Sequence, residues 1–317
     1  MRLALPTALE TKELKTSRPS ALRATYAGDR LYTDRAVAAT LRRRLQRWYD
    51  RTARDLPWRR THDPYAILVS EVMLQQTQVS RVLPAYTMFL RRFPSLSALS
   101  RASLGDVLRA WSGLGYNRRA RDLHGIARLH PRSLPRTRDG LDALPGIGAY
   151  TAGAVSCFSR GESVAFADTN IRRVLGRALL GRIATEREAV ALDEHLVPRR
   201  RADRWHHALM DLGATVCLAR TPRCDVCPIA VVCRSRGRVV RAAPRRQATF
   251  ATSDRRIRGR IVALLRDGDG MTLRALTARL EDPRVPELAR TLAGEGLLEI
   301  AGGRVRLPEA ESTVHGR

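Results

Sequence analysis

The chain has 317 residues, enough to bury one large core or two smaller ones. Lys and Arg number 57 against 31 Asp and Glu, a net charge of +26 with a pI near 11.4, so the expected partner is a polyanion, most simply nucleic acid. No apolar run approaches membrane-spanning length, and Pro6 and Glu10 interrupt the short apolar stretch at the N-terminus, which does not read as a signal peptide, so the protein is expected in the cytoplasm, associated with the nucleoid.

Only Lys12 and Lys15 are lysines. GC-rich coding explains that preference for arginine, though not the net excess of positive charge. Residues 1–32 mix Thr, Ser, Pro and Arg without a period and read as a mobile basic tail. From Thr33 the pattern is helical, with Val37, Leu41, Leu45 and Trp48 on one face. Leu56-Pro57-Trp58-Arg59 follows as a rigid turn presenting an aromatic and a charge. Asp63-Pro64 then reads as the cap and first position of a helix through Tyr65–Val79. Ile67, Leu68, Val69, Val72, Met73 and Leu74 make that helix apolar nearly all round, so it belongs deep in the protein. A helical Glu is ordinarily solvated, but Glu71 sits inside this run. A desolvated carboxyl holds a proton at neutral pH, as a general acid requires. Gln75 and Gln76 come next, each able to donate and accept at base edges.

Short helices continue to about Leu129, punctuated by Pro84, Pro94 and Gly105. Among them Gly113-Leu114-Gly115-Tyr116 has two readings. It is a glycine cap with its hydrophobic contact, or Leu114 and Tyr116 wedge between bases while Arg118, Arg119 and Arg121 hold phosphates. Leu144-Pro145-Gly146-Ile147-Gly148 precedes a helix of small residues. Gly146 and Gly148 permit a tight turn with free N–H groups at a helix N-terminus, which binds phosphate without a side-chain charge. This reads as a helix-hairpin-helix, a sequence-independent grip on DNA, with an ordinary helical corner as the alternative. Cys157 on the second helix is a small core residue.

Asp168 stands before Ile171, Val174, Leu175 and Ala178, which share a helical face, and so reads as an N-cap. A carboxylate fixed by helix N–H groups stays ionised. With Glu71 protonated, the pair would have the separated pKa values that glycosidic cleavage through an oxocarbenium-like state needs. Cys217-x6-Cys224-x2-Cys227-x5-Cys233 is a metal signature, and four thiolates suit zinc as well as iron. Residues 234–253 are Arg-, Pro- and Thr-rich and read as a linker. Over 254–310, three helices and a hairpin about Gly302-Gly303 form a small winged-helix-like domain. Its Arg255, Arg256, Arg258 and Arg260 could contact DNA phosphates, and a protein partner is the alternative.

Trp58-Arg59, Ser70-Glu71-Val72-Met73-Leu74-Gln75-Gln76-Thr77-Gln78, Gly113-Leu114-Gly115-Tyr116, the glycine hairpin, Asp168 and the four cysteines occur together in this order. From Thr33 to Cys233 the chain resembles the MutY family of adenine DNA glycosylases, in the helix-hairpin-helix superfamily that includes endonuclease III. The resemblance implies an all-α fold: a six-helix domain and an iron–sulfur domain make the core at 33–233, with the cluster loop at 217–233. It implies a monomeric enzyme that flips adenine out of double-stranded DNA and excises it opposite 8-oxoguanine or guanine. It also implies a [4Fe-4S] cluster on Cys217, Cys224, Cys227 and Cys233, with zinc as the alternative.

In that reading Glu71 protonates the adenine ring and activates water, and Asp168 stabilises the sugar cation or a covalent intermediate. Tyr150 stands where bifunctional relatives carry a Schiff-base lysine, so the enzyme is expected to be monofunctional. Leu74, Gln75, Gln76, Leu114 and Tyr116 would surround the lesion strand. Arg54, Trp58 and Arg59 would line the adenine pocket, and Gly146, Gly148 and Asn170 would contact DNA. Two features depart from the family. Asn117 replaces a second aromatic, and the stretch from Asp254 is too short and wrongly patterned for the MutT-like domain of well-studied members. The competing readings are a thymine or uracil mismatch glycosylase, an endonuclease III-like enzyme, and a non-catalytic iron–sulfur DNA-binding regulator. The last would leave the buried acid unexplained.

Overall fold

The computed structural model describes residues 34–239 and 249–309. The tail expected at 1–32 and the middle of the expected linker lie outside the described residues. Helix α1 (Arg35–Thr52) begins at Asp34, whose carboxylate accepts the N–H groups of Ala36 and Val37. It buries Leu41, Leu45 and Tyr49 along one stripe. Asp63 caps α2 (Pro64–Leu74), in which every residue from Tyr65 to Met73 is buried, as its all-round apolar sequence requires.

This helix stops at Leu74 rather than continuing to Val79. Gln76 takes a left-handed φ of 55°, and the chain restarts as α3 (Val79–Arg92). The cause is tertiary. The Arg119 guanidinium donates to the carbonyls of Val72 (2.8 Å), Met73 (2.9 Å) and Gln75 (2.6 Å), satisfying a helix end that has no local cap.

Ser95 and Ser103 cap α4 (Leu96–Arg101) and α5 (Leu104–Ala110). Next come α6 (Arg118–Leu129), α7 (Arg138–Asp142) and α8 (Ala149–Arg160). Then α9 (Thr169–Leu175) runs into a π-helical turn at Gly176–Leu180. Helix α10 (Glu186–Leu196) opens on a Thr185–Glu188 capping box and is followed by α11 (Ala202–Thr215). At the centre, α2 packs against α8, α3 and α6, while α11 packs against α9 and α1. A Cβ on Gly213 would lie 2.5 Å from that of Asn170, so only glycine lets α11 close on the start of α9.

The C-terminal unit runs α12 (Asp254–Leu264), β1 (Met271–Thr272), α13 (Leu273–Leu280), α14 (Val285–Gly294), β2 (Glu299–Ala301) and β3 (Arg304–Arg306). Its sheet has the antiparallel order β1-β3-β2, with Met271 and Ile300 both opposite Val305, which is winged-helix topology. The unit is docked on the core. Gly105 N–H donates to Pro308 O (2.7 Å), and Arg109 Nε donates to Arg266 O (3.0 Å). Arg266 Nε returns a bond to Leu108 O (3.2 Å), and one apolar cluster runs through both units. Arg234 and Ser235, expected in the linker, instead bond back to the carbonyls of Ala178 and Arg177. Among the described residues no helix is long and apolar enough to cross a membrane.

Candidate active site

Glu71 is 6% exposed on α2. Burial lifts its carboxyl from 4.5 to about 7. A hydrogen bond from the Tyr150 phenol and the charge of Arg59 oppose that rise, while Asp168 adds to it. Tyr150 lies in the first turn of α8, edge-on to Phe166 at 5.6 Å between ring centres. Burial and the Glu71 charge hold its own pKa well above the usual tyrosine value, so it remains a donor.

Asp168 caps α9 as expected, accepting Ile171 N–H at 2.7 Å and Asn170 Nδ2 at 2.8 Å. Capping does not bring its pKa down, however. Burial raises the carboxyl despite Ile171, Asn170 and Arg173, because desolvation outweighs the donors. Asn170 is also placed differently from its expected role at DNA. Its amide bridges Asp168 to Arg173 Nη2 (2.7 Å), and Arg173 is anchored on Gly213 O (2.6 Å) and Cys217 O (2.7 Å). It therefore positions the carboxylate.

Arg54 and Arg59 converge on Asp211, whose side chain is 1% exposed. Arg59 forks onto both oxygens at 2.8 and 2.7 Å, and Arg54 Nε reaches one at 2.6 Å. Burial disfavours the Asp211 charge, but the two guanidiniums outweigh it and hold the carboxyl below its usual range. Arg59 Nε is buried without a partner. Trp58 is buried edge-on to Tyr86, with 5.3 Å between ring centres. Beside them His207 stacks on Phe158 at 4.2 Å, and burial with Arg59 keeps it neutral, well below 6.5.

A second group gathers where α2 ends. Gln76 is exposed there, while Leu74 and Gln75 are half-buried. Of the two readings for the glycine-bracketed turn, the structure takes the packed one for Leu114, which is 3% exposed. Tyr116 is 40% exposed with a φ of 48°. The arginines behind them are not the free phosphate grips expected. Arg119 is buried and also donates to Leu114 O and Gly115 O, at 3.2 Å each. Arg118 pairs with Glu295, and Arg121 donates to the Glu295 carbonyl at 2.6 Å. The C-terminal unit has claimed Arg118 through an ion pair and Arg121 through a carbonyl, while Arg121 also pairs with Asp122 on its own helix.

The hairpin has the expected form. Gly146 has φ +73°, and a Cβ there would meet Asp122 Oδ2 at 2.9 Å. Leu144 and Ile147 are buried, whereas Gly146 and Gly148 are exposed. The N-terminus of α8 has no side-chain cap, leaving its first N–H groups to an outside anion. Further along, Cys217, Cys224, Cys227 and Cys233 all line one small pocket with Arg177, whose Nη1 reaches Cys217 Sγ at 3.4 Å. Among the described residues no three Cys, His, Asp or Glu side chains converge on a single-ion site.

Sequence reasoning missed Asp211 and Arg173 and gave Arg119 a different role. Each sits in a helix with partners far along the chain, and no local signal marks those pairings.

A buried acid with a raised pKa lies within electrostatic reach of a capped carboxylate, and the neighbouring helix starts without a side-chain cap. This is the equipment of a helix-hairpin-helix DNA glycosylase. Residues 69–198 match the family model for HhH-GPD superfamily base excision DNA repair proteins. The chain is 44% identical over 276 residues to an adenine DNA glycosylase of Mycolicibacterium smegmatis, covering 83% of this chain and 94% of that protein. It is 39% identical over 236 residues to a human adenine DNA glycosylase, covering 69% of this chain and 43% of the human protein. A solved thermostable thymine-DNA glycosylase superposes with a TM-score of 0.59 at 28% identity, covering 63% of this chain and 96% of that one. A non-covalent endonuclease III–DNA complex gives 0.54 at 22%, covering 60% and 91%, and shares the fold. The chain belongs to the adenine DNA glycosylase family, and its partner is DNA.

Proposed function

We propose that the chain removes adenine from A:8-oxoguanine and A:G mispairs as a monofunctional glycosylase. The observation that carries the chemistry is the buried Glu71, poised at about 7 beside Asp168. A flipped adenine would enter a recess beside Glu71, and a ring nitrogen takes the Glu71 proton. The C1′–N9 bond breaks with its electron pair going to the base, and the Asp168 carboxylate stabilises the cationic sugar. Water then adds to C1′ while the Glu71 carboxylate accepts its proton, restoring the acid. Tyr150 keeps Glu71 hydrogen-bonded and cannot form an imine, so the product is an intact abasic strand. The Asp211 pair fixes Arg54 and Arg59 at the recess, and the hairpin N–H groups hold the backbone.

Four thiols lining one pocket could hold a [4Fe-4S] group, with zinc as the alternative, and such a cluster would tie the loop at 217–233 to α9. Single-turnover assays on A:8-oxoguanine, A:G, A:C, T:G and U:G duplexes test the substrate. Base release confined to adenine, without borohydride trapping, is the expected result. Release of thymine or uracil instead, or efficient trapping, overturns it.

A further inference from the structure

A cleft of about 1160 Å³ separates the end of α2 and the Tyr116 turn from the C-terminal unit. Gln76 and Tyr116 lie on one wall, with Phe250, Arg255, Arg256 and Arg260 on the other. Among the described residues no acidic side chain lines it, so it is a strongly positive channel. In a helix-turn-helix domain the last helix ordinarily reads DNA. Here that helix is α14, whose exposed Glu287 and Arg290 cancel. Glu295, just past its end, is tied to Arg118 on the core and to Arg258 on α12. The face turned to the cleft is instead the start of α12.

Three observations single out Arg255 and Phe250 on that face. Arg255 Nη1 donates to the Tyr116 hydroxyl at 3.0 Å across the domain boundary. Its guanidinium lies over the rings of both Tyr116 (5.9 Å) and Phe250 (5.5 Å), and no carboxylate among the described residues neutralises it. Phe250 is 59% exposed, a large aromatic face left in water beside a cationic channel. Tyr116 itself holds a left-handed backbone that a non-glycine residue adopts only under constraint, and the Arg255 bond supplies one.

We propose that Phe250 and Arg255 complete, from the C-terminal unit, the seat for the base opposite the excised adenine. This rests on the proposed function above and on the expectation from the sequence that Gln76 and Tyr116 surround the lesion strand. The strand runs along the cleft and Phe250 offers a stacking face. Arg255 holds Tyr116 with one nitrogen and presents the rest of its fork to the O6 carbonyl that guanine and 8-oxoguanine share. Recognition of the opposite base is thus supplied by the start of α12 and the Phe250–Thr252 turn before it.

The test is equilibrium binding to duplexes carrying a tetrahydrofuran abasic analogue opposite guanine, 8-oxoguanine or cytosine. This reading needs no base excision. Arg255→Met and Phe250→Ala should each lower the preference for guanine and 8-oxoguanine over cytosine by roughly fivefold or more, the scale of one stacking or fork contact. Arg255→Lys should keep overall affinity and still lose the preference, because it retains charge without the fork. Arg290→Ala, on the exposed face of α14, should bind as wild type. Melting curves confirm that each variant folds, and if one does not, the other of the Arg255 and Phe250 pair decides. Equal weakening on all three duplexes would reduce Arg255 to a phosphate contact and overturn the proposal. An unchanged preference, or a loss caused by Arg290→Ala instead, would overturn it too. Failure of the proposed function is read separately, as absence of adenine release by the wild type.

Discussion

Replacing Glu71 with glutamine should stabilise the protein at alkaline pH while abolishing its chemistry. The carboxyl titrates at 4.5 when solvated and at about 7 in the fold. A folded pKa above the unfolded one means that the native state binds the proton more tightly. Its contribution is therefore fully present below 4.5 and is lost as pH rises through 7. Above that range the wild type carries a buried anion. The shift corresponds to about 3 kcal/mol, since one unit is about 1.4 kcal/mol. For a core of about 200 residues this is a melting difference of roughly 6–12 °C. The glutamine side chain would keep the shape and a hydrogen bond to Tyr150 with no charge to desolvate. Thermal melts of wild type and E71Q at intervals from about pH 4.5 to about pH 8.5 should diverge as pH rises and converge at the acid end. Parallel curves would refute the reasoning, because they would mean that Glu71 ionises in the fold as easily as in water.

Asp168→Asn should lower the single-turnover rate by at least about a hundredfold while duplex binding is kept, because the charge opposing the sugar cation is gone. Arg119→Met leaves the carbonyls of Val72, Met73 and Gln75 without their donor, so it should cost roughly 2–4 kcal/mol by melting. Faster hydrogen exchange around Gln75–Gln78 should accompany that loss. Anaerobically purified protein should contain iron and sulfide in equal amounts, and Cys217→Ser should lose both; one zinc per chain with negligible iron would reject the cluster.

What the sequence disclosed was what neighbours along the chain determine. Six apolar residues around Glu71 were enough to foresee its burial and the upward shift of its pKa. Asp168 ahead of a periodic run identified the cap, and Pro-Gly-Ile-Gly identified the hairpin. The failures share a different cause. The end of α2 depends on Arg119, the anchoring of Arg59 on Asp211, and the orientation of Asp168 on an Asn170–Arg173 bridge. None of those pairings leaves a periodic trace. The pKa of Asp168 went astray for a related reason. The cap is local and visible, whereas the burial that outweighs it is a property of the folded packing.

The bond between Gly105 N–H and Pro308 O has a consequence for the order of events during synthesis. At ordinary elongation rates, Pro308 leaves the ribosome roughly 10–40 s after Gly105. Every residue of the hairpin, the acid pair and the cysteine loop is made within that interval or before it, so the core can close before the surface on α5 receives its cover. Until then the exposed backbone of α5 and the loosened Tyr116 turn face solvent, with chaperones and proteases as competitors. A slow codon run after Val239 would lengthen that exposure without altering any residue of the finished enzyme.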